Sequence, residues 1–180
     1  KKILGLQQYE NGTNKPKIYK DTSELRYGHV LIFVDADFLY SGYIESGMIQ
    51  KNNNLTIFHP NKSDWKEQLL KIIDKVSKEE ILVVIDSLNG LYNIFDNLES
   101  ARFINSTIML LSYIGRQTNS PIVITAMVRK KEDVLVLSPG GKQIIQSKET
   151  KIFSIKKNEN ILSVVTHVKP DLQSKIFKIE

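Results

Sequence analysis

Two unbroken apolar runs, each ending on a carboxylate, dominate the hydrophobic pattern of the chain. Residues 30–34 read Val-Leu-Ile-Phe-Val before Asp35, and residues 81–85 read Ile-Leu-Val-Val-Ile before Asp86. Runs of this length and branching are typical of strands buried on both faces of a parallel sheet. A third run at residues 122–128 has the same character. The pattern therefore predicts buried parallel strands at all three places.

Apolar residues recur at helical spacing between these runs and predict two longer helices. The first follows Asp64, where Glu67 three positions on resembles a capping arrangement, and ends near Lys78. The second covers residues 98–118 and is stopped by Asn-Ser-Pro, since proline disfavours helix for the residue before it. The other predicted elements are a helix tail at 2–9, a short or irregular helix at 40–48, a strand at 55–58, a loop with a short helix at 134–146, a hairpin of strands at 152–155 and 161–165, and a final strand at 175–179.

This alternation of strands and helices predicts the fold class. Crossover helices between buried strands imply right-handed βαβ units and a doubly wound sheet. We expect one α/β domain over residues 1–180, with a mostly parallel sheet and a C-terminal antiparallel hairpin extension. Its predicted parts are a helix tail and polar loop at 1–27, a parallel core at 28–128, a basic loop region at 129–149 and an antiparallel addition at 150–180.

Composition narrows the class of protein. With 180 residues, 41% apolar and 25% charged, the chain can bury a sizeable core. It has no cysteine, which excludes disulfides, thiolate metal sites and cysteine nucleophiles. No apolar run reaches the length of a membrane span, and no signal-peptide pattern occurs. We expect a cytoplasmic protein without a membrane partner.

The acids at the strand ends are the first candidate site. Open α/β sheets bind ligands beyond the carboxyl ends of their strands, where Asp35, Asp37 and Asp86 fall. An Asp in this position can also cap the next helix or make a turn. Finding two such runs favours the ligand site, and the three carboxylates could converge on one magnesium ion. The three histidines show no metal-ligand spacing.

Several short motifs occur in an order that resembles one family. They are Phe-Val-Asp-Ala-Asp at 33–37, Asp-Ser-Leu at 86–88, Thr-Ala-Met at 125–127, Pro-Gly-Gly at 139–141, Thr-Lys-Ile-Phe-Ser-Ile-Lys-Lys at 150–157, and the segment from 169 to 179. From about residue 28 onward the chain resembles the RecA/RadA recombinase ATPase core, a group that includes KaiC-like proteins and archaeal RecA-fold paralogues. The resemblance implies a sheet of the RecA-like P-loop NTPase type.

The resemblance also implies roles for the acids. Asp37 would be the general base that orients the attacking water. Asp86 would be the Walker B acid that holds the magnesium of bound ATP, with Ser87 and Asp35 beside it. Partners would be further RecA-fold subunits, in a homo- or hetero-oligomer.

The departures from the family pattern concern the ATPase machinery. The 180 residues contain no G-x-x-x-x-G-K-[ST] motif, and the family's P-loop would lie just before Lys1. Residues 1–6 could be the remnant of the helix that follows this loop, which would place Lys2 where a hydroxyl binds magnesium, although an ammonium group cannot ligate a cation. The alternative is that Lys1 and Lys2 are solvated helix residues. Met127 replaces the family's glutamine sensor, cannot donate its hydrogen bond, and is expected to pack in the core. Asp37 is one methylene shorter than the usual Glu, and misplacement of about an ångström can cost on the order of 10²-fold in rate.

A basic segment is the second candidate site. Arg129, Lys130 and Lys131 follow the third strand, and Lys142 lies further along the same region. In the recombinases this region contacts single-stranded DNA, and phosphate contacts need only such cations. Base stacking needs aromatic residues, which the segment lacks, so a solvated flexible loop stays an alternative. The net charge of +5 permits an anionic partner, either single-stranded DNA or RNA.

These features predict a RecA-fold paralogue with a lost or weak ATPase, for which Mg-ATP is a doubtful cofactor. It would act by assembly or by binding nucleic acid in DNA recombination or repair. Two alternatives stay open. One is an active ATPase whose P-loop lies upstream of residue 1, and the other is an Elongator-like subunit or a protein-only interaction domain.

Overall fold

Strands and helices alternate through the first part of the chain, as the hydrophobic pattern predicts. The computed structural model describes residues 2–7, 31–95, 98–131, 134–137, 150–158, 161–167 and 172–178. The elements are β1 (Lys2–Gln7), β2 (Leu31–Asp35), α1 (Leu39–Glu45), β3 (Leu55–Phe58), α2 (Trp65–Lys78), β4 (Leu82–Asp86), α3 (Leu88–Ile94), α4 (Leu98–Thr118), β5 (Ile122–Lys131), β6 (Val134–Leu137), β7 (Thr150–Asn158), β8 (Ile161–His167) and β9 (Leu172–Lys178).

Four parallel strands form the centre of the fold, in the order β3-β2-β4-β5. Strand β2 pairs in parallel with β3 on one side and β4 on the other, and β4 pairs in parallel with β5. The predicted α/β class, with a parallel sheet built from the three apolar runs, is therefore confirmed. Parallel alignment brings the carboxyl ends of β2, β4 and β5 to one edge.

The two faces of this sheet differ in what they bury. Successive side chains of a strand point to opposite faces. Ile32 and Val34 of β2 share one face with Val83 and Ile85 of β4, and all four are fully buried. The helical residues in the same core cluster are Trp65, Leu69, Ile72 and Val76 of α2, Leu88 and Leu91 of α3, and Ile104, Ile108 and Leu111 of α4. Because this face carries the main core, Asp35 and Asp86 lie on the opposite face.

The rest of the sheet is antiparallel. Strand β1 lies between β5 and β7 and runs antiparallel to both. Strands β7, β8 and β9 then pair in sequence, each antiparallel to the last. The predicted C-terminal hairpin and final strand are confirmed.

The prediction of a helix tail at residues 2–9 is wrong for the described residues 2–7. Lys2–Gln7 is a strand, and Lys2 pairs with Met127 on one side and Ile155 on the other. Two flanking strands satisfy both backbone edges of this segment, and such tertiary contacts override a weak local helical pattern. The expectation that Lys2 belongs to the helix after a P-loop is wrong for the same reason.

Two further elements differ from the expected pattern. Helix α3 (Leu88–Ile94) precedes the long helix α4, although one helix was expected. Residues 134–137 form a strand instead of a loop with a short helix, because this apolar stretch pairs antiparallel with residues 128–131. Residues 138–149 lie outside the described part of the chain.

Helix α2 begins without the expected capping arrangement. The Asp64 side chain makes no cap hydrogen bond and instead accepts from Gln68 Nε2 at 2.7 Å. Asn61 Oδ1 organises the turn by accepting hydrogen bonds from the backbone N–H groups of Ser63 and Asp64. In the described residues, no helix has both the length and the apolar character that a membrane crossing requires.

Candidate functional site

Two carboxylates meet at the carboxyl edge of the parallel strands. Asp35 ends β2 and Asp86 ends β4, and the two are register partners in a parallel pair. Register partners of adjacent strands lie on the same face of a sheet. The Ala36 N–H continues the strand pairing by donating to the Asp86 carbonyl at 2.7 Å. The structure therefore brings the two sequence-predicted acids side by side.

Asp35 is the more deeply placed of the pair. Its side chain is fully buried, and Oδ2 accepts hydrogen bonds from Ser41 N at 2.8 Å and Ser41 Oγ at 2.6 Å. Among the described residues, Oδ1 has no hydrogen-bond partner. The Asp35 carboxyl is therefore held from one side by α1.

Ser41 links this buried carboxyl to the surface. Its Oγ also lies 2.6 Å from Nε2 of His59, which follows β3 and is exposed. Because the single hydroxyl proton is directed at Asp35, His59 Nε2–H must be the donor in the second contact. A continuous chain of donors therefore runs from the exposed His59 ring through Ser41 to Asp35.

Sequence reasoning missed Ser41 and His59. No local spacing connects them, since they are 18 positions apart. The usable signal was the position of His59 directly after a predicted strand, at the edge where the acids were expected. Parallel pairing of β3 with β2 brings His59 to that edge.

Asp37 is held by the residue that follows β4. Ser87 Oγ donates to Asp37 Oδ2 at 2.6 Å and accepts from the Gly90 N–H at 3.1 Å, so it also caps α3. A Cβ atom at Gly90 would lie 2.5 Å from Asp37 Oδ1 and 2.9 Å from the Ala36 carbonyl carbon. Gly90 therefore permits α3 to approach the Asp37 carboxylate closely.

Asp86 contacts the next strand. Its Oδ1 accepts a short hydrogen bond from Thr125 Oγ1 on β5, and Thr125 is buried. The peptide bond between Asp86 and Ser87 is cis. Asp86 thus sits between Asp35 on one side and Thr125 on the other.

Met127 lies at the end of the same edge, and the expectation that it packs in the core is wrong. Its side chain is 50% exposed, and its backbone N–H donates to Asn89 Oδ1 at 2.7 Å. The alternation along β5 explains this, because Ala126 points into the core and its neighbour therefore points away from it. The Met127 side chain offers no hydrogen-bond donor at the edge.

The three acids do not converge as a magnesium site. In the described ranges, no group of three Asp, Glu or His side chains could hold a metal ion. Asp35 is turned toward Ser41 and Asp37 toward Ser87, so their carboxylates are engaged separately. The expectation of one shared magnesium is wrong, while Asp86 as a single ligand to the magnesium of ATP stays a prediction.

The first residues of the basic segment form a two-stranded antiparallel ribbon with β6. The backbones of Arg129, Lys130 and Lys131 pair with Val136, Leu135 and Val134 of β6. The last four residues of β5 therefore form a two-stranded extension with β6, so the predicted loop region at 129–149 is wrong for residues 129–131. Lys142 lies outside the described residues.

Tyr92 on α3 and Lys71 on α2 have pKa values above their ordinary ones. The Tyr92 hydroxyl donates to Asn105 Oδ1 at 2.7 Å and joins α3 to α4. Burial raises the pKa of Tyr92, and this effect exceeds the opposite effect of the hydrogen bond to Asn105. The Glu67 carboxylate, 2.7 Å away, raises the pKa of Lys71 on the exposed face of α2.

The sequence matches no protein-family model and no curated protein. Function is therefore inferred from the geometry of the edge and from the resemblance of its motifs.

Proposed function

We propose that this chain is a RecA-like subunit that does not hydrolyse ATP and acts by assembly or by binding nucleic acid, in DNA recombination or repair. The observation that carries the proposal is the side-by-side placement of Asp35, Asp86 and Thr125 at adjacent parallel strand ends. This is the edge where α/β sheets bind ligands, and where P-loop NTPases place the acid that holds magnesium. The motif resemblance assigns the same positions.

The contacts of Asp37 and the side-chain chemistry of Met127 are the reasons to expect no hydrolysis of ATP. A general base must reach the proton that it removes. One oxygen of Asp37 accepts from Ser87, and the other faces Gly90, which leaves the short carboxylate retracted against α3. Met127 cannot donate a hydrogen bond to a γ-phosphate. Neither side chain is therefore suited to catalyse phosphoryl transfer.

A comparison of ATP hydrolysis by the full-length natural protein and its Asp86→Asn variant tests this proposal. We expect no turnover above the level of Asp86→Asn, whether or not nucleic acid is added. Turnover that depends on Asp86 would contradict the proposal and favour the alternative of an active ATPase. Equilibrium binding of a fluorescent ATP analogue to both proteins then separates nucleotide binding from catalysis.

Nucleic-acid binding is favoured by the position of the cations. Three consecutive cationic residues occupy the last positions of β5, in a ribbon that extends from the carboxyl edge. Each phosphate contact contributes about −0.7 to −0.9 to the slope of log K against log salt. Neutralising Arg129, Lys130 and Lys131 together is expected to reduce that slope by about 2–3.

The matched control neutralises three lysines on α2, Lys66, Lys71 and Lys78, which are exposed and lie outside the ribbon. This control should leave the salt slope unchanged. Single-stranded DNA and RNA are compared directly. Equal loss in both triple variants would indicate a general charge effect, and no binding to either polymer would favour the protein-only alternative.

A further inference from the structure

The ribbon formed by β5 and β6 leaves the central sheet at Met127. Strand β4 pairs with β5 as far as Ile124, and β1 pairs with it as far as Met127. From Val128 onward, β6 is the only strand that pairs with β5 in the described part of the chain. A two-stranded ribbon is marginally stable by itself, so its direction depends on how its base is held. Met127 is the base of this ribbon.

The Met127 N–H points toward the side of β5 on which β4 lies. Pro121 marks this side, because its carbonyl accepts from the N–H of Val83 on β4 at 2.9 Å. Alternate residues of a strand direct their backbone groups to the same neighbouring strand, and Met127 is six positions after Pro121. A longer β4 would therefore supply the acceptor for the Met127 N–H.

A side chain of α3 supplies this acceptor instead. The chain turns into α3 directly after β4, and the Ser87 carbonyl accepts the Leu91 N–H within the helix at 3.1 Å. Asn89 Oδ1 accepts the Met127 N–H at 2.7 Å. The helix is itself held in place, since Leu88 and Leu91 are buried in the core. Asn89 therefore ties the base of the ribbon to a fixed element.

The orientation of the ribbon matters because the charges near its tip are mixed. Arg129, Lys130 and Lys131 are followed directly in the sequence by Glu132 and Asp133. These three cationic and two acidic residues give a net charge of only +1. A polyanion attracts the cations and repels the acids, so a ribbon that turned freely would gain little from binding it. Phosphate binding therefore needs the ribbon to be held in one orientation.

We propose that Asn89 is a positioning residue for nucleic-acid binding. By holding Met127, it fixes the orientation in which the ribbon meets the phosphate backbone of a single strand. This role of Asn89 rests on the proposed function, since it concerns the same ribbon and the same polymer. Asn89 contacts no phosphate in this role and acts only through the ribbon.

Amide hydrogen exchange of the full chain tests the positioning itself. Asn89→Ala removes the acceptor and should speed exchange of the Met127 amide by roughly 3- to 10-fold, the equivalent of one ordinary hydrogen bond. Asn89→Asp keeps an oxygen acceptor and should retain the protection. Asn93→Ala, at an exposed position of the same helix, is the matched control and should leave exchange unchanged. Unchanged exchange at Met127 in Asn89→Ala would overturn the proposal.

Fluorescence anisotropy with labelled thymidine and uridine oligonucleotides measures the effect on binding. Asn89→Ala should weaken binding by roughly 3- to 10-fold although it removes no charge, and Asn93→Ala should have no effect. Asn89→Asp is kept out of this measurement, because its added charge would itself repel phosphate. Circular dichroism melting of every variant excludes unfolding as the cause.

A combined variant separates positioning from a general structural effect. When Arg129, Lys130 and Lys131 are already neutralised, Asn89→Ala should cause no further loss of binding, because it acts through these residues. A further loss of the same size, or full binding by Asn89→Ala alone, would overturn the role of Asn89 and leave the proposed function standing. If the unmodified chain binds neither oligonucleotide, nucleic-acid binding fails as a function and the role of Asn89 fails with it.

Discussion

Ser87 Oγ donates a 2.6 Å hydrogen bond to Asp37 Oδ2, although the two residues are 50 positions apart in the chain. Each residue lies just beyond the carboxyl end of a parallel strand, Asp37 after β2 and Ser87 after β4. The same Oγ accepts from the Gly90 N–H. The buried Ser87 hydroxyl therefore links the residues that follow β2 and β4 to the start of α3.

Ser87→Ala should lower the free energy of unfolding by about 1–3 kcal/mol. It removes a donor to a carboxyl group and the side-chain cap of α3 at once. Urea denaturation measures the change. The control is Ser77→Ala, whose exposed hydroxyl bonds only to the Asp74 carbonyl in the described contacts and whose loss should stay within about 0.5 kcal/mol. Equal effects of the two variants would contradict the role given to Ser87.

Gly90→Ala should destabilise the protein by about 1–3 kcal/mol, the usual range for an overpacked site. The added Cβ would lie 2.5 Å from Asp37 Oδ1 and 2.9 Å from Ala36, and backbone cannot move aside easily. Gly42→Ala is the matched control, because nothing lies within 4 Å of its Cβ position on α1. The control should be neutral or stabilise by about 0.5–1 kcal/mol through helix propensity. Thermal or urea unfolding of both variants distinguishes a steric effect from a general effect of alanine.

The parallel strands β2 and β4 could be predicted from sequence because their patterns are local, although full burial on both faces was not found: alternate residues of each strand are only partly buried. Runs such as 81–85 are long, apolar and β-branched, and little besides a buried parallel strand accommodates them. The hairpin of β7 and β8 could also be predicted from its local pattern. Lys2–Gln7 could not be assigned, because its strand conformation depends on β5 and β7, which are more than 100 positions away.

Part of the candidate site could be predicted from the sequence, and part could not. Asp35 and Asp86 were predictable, since each ends its own apolar run. The Ser41 and His59 contacts were not, because they arise only when β3 pairs beside β2 and brings His59 over α1. The predicted convergence of three acids on magnesium failed because nearby hydroxyls, which no pattern points to, engage Asp35 and Asp37 separately.

Ser41→Ala should lower the free energy of unfolding by about 1–3 kcal/mol. The substitution leaves the buried Asp35 carboxyl with one backbone donor and removes the acceptor for His59 Nε2–H. Ser46→Ala removes a comparable but exposed hydroxyl, which donates to the Tyr43 carbonyl at 3.1 Å, and should cost little. Urea denaturation midpoints of the two variants measure the difference in stability between them. If Ser41→Ala is as mild as Ser46→Ala, the Asp35–Ser41–His59 chain does not stabilise the fold.

Tyr92 should make the protein less stable at alkaline pH. Because burial raises its pKa in the folded state, the hydroxyl ionises first in the unfolded chain, near its ordinary value of 10.0. The contribution of Tyr92 to stability is therefore complete below about pH 10 and is lost as pH rises through the folded pKa. Tyr92→Phe should flatten the fall of the free energy of unfolding between about pH 9 and pH 11, while lowering stability at neutral pH through loss of the bond to Asn105. Urea denaturation across this pH range measures both effects.

Tyr113→Phe is the control, since it keeps the ring under Arg116 on the surface of α4. An alkaline slope that is identical in Tyr92→Phe and the unmodified protein would show that another group produces it.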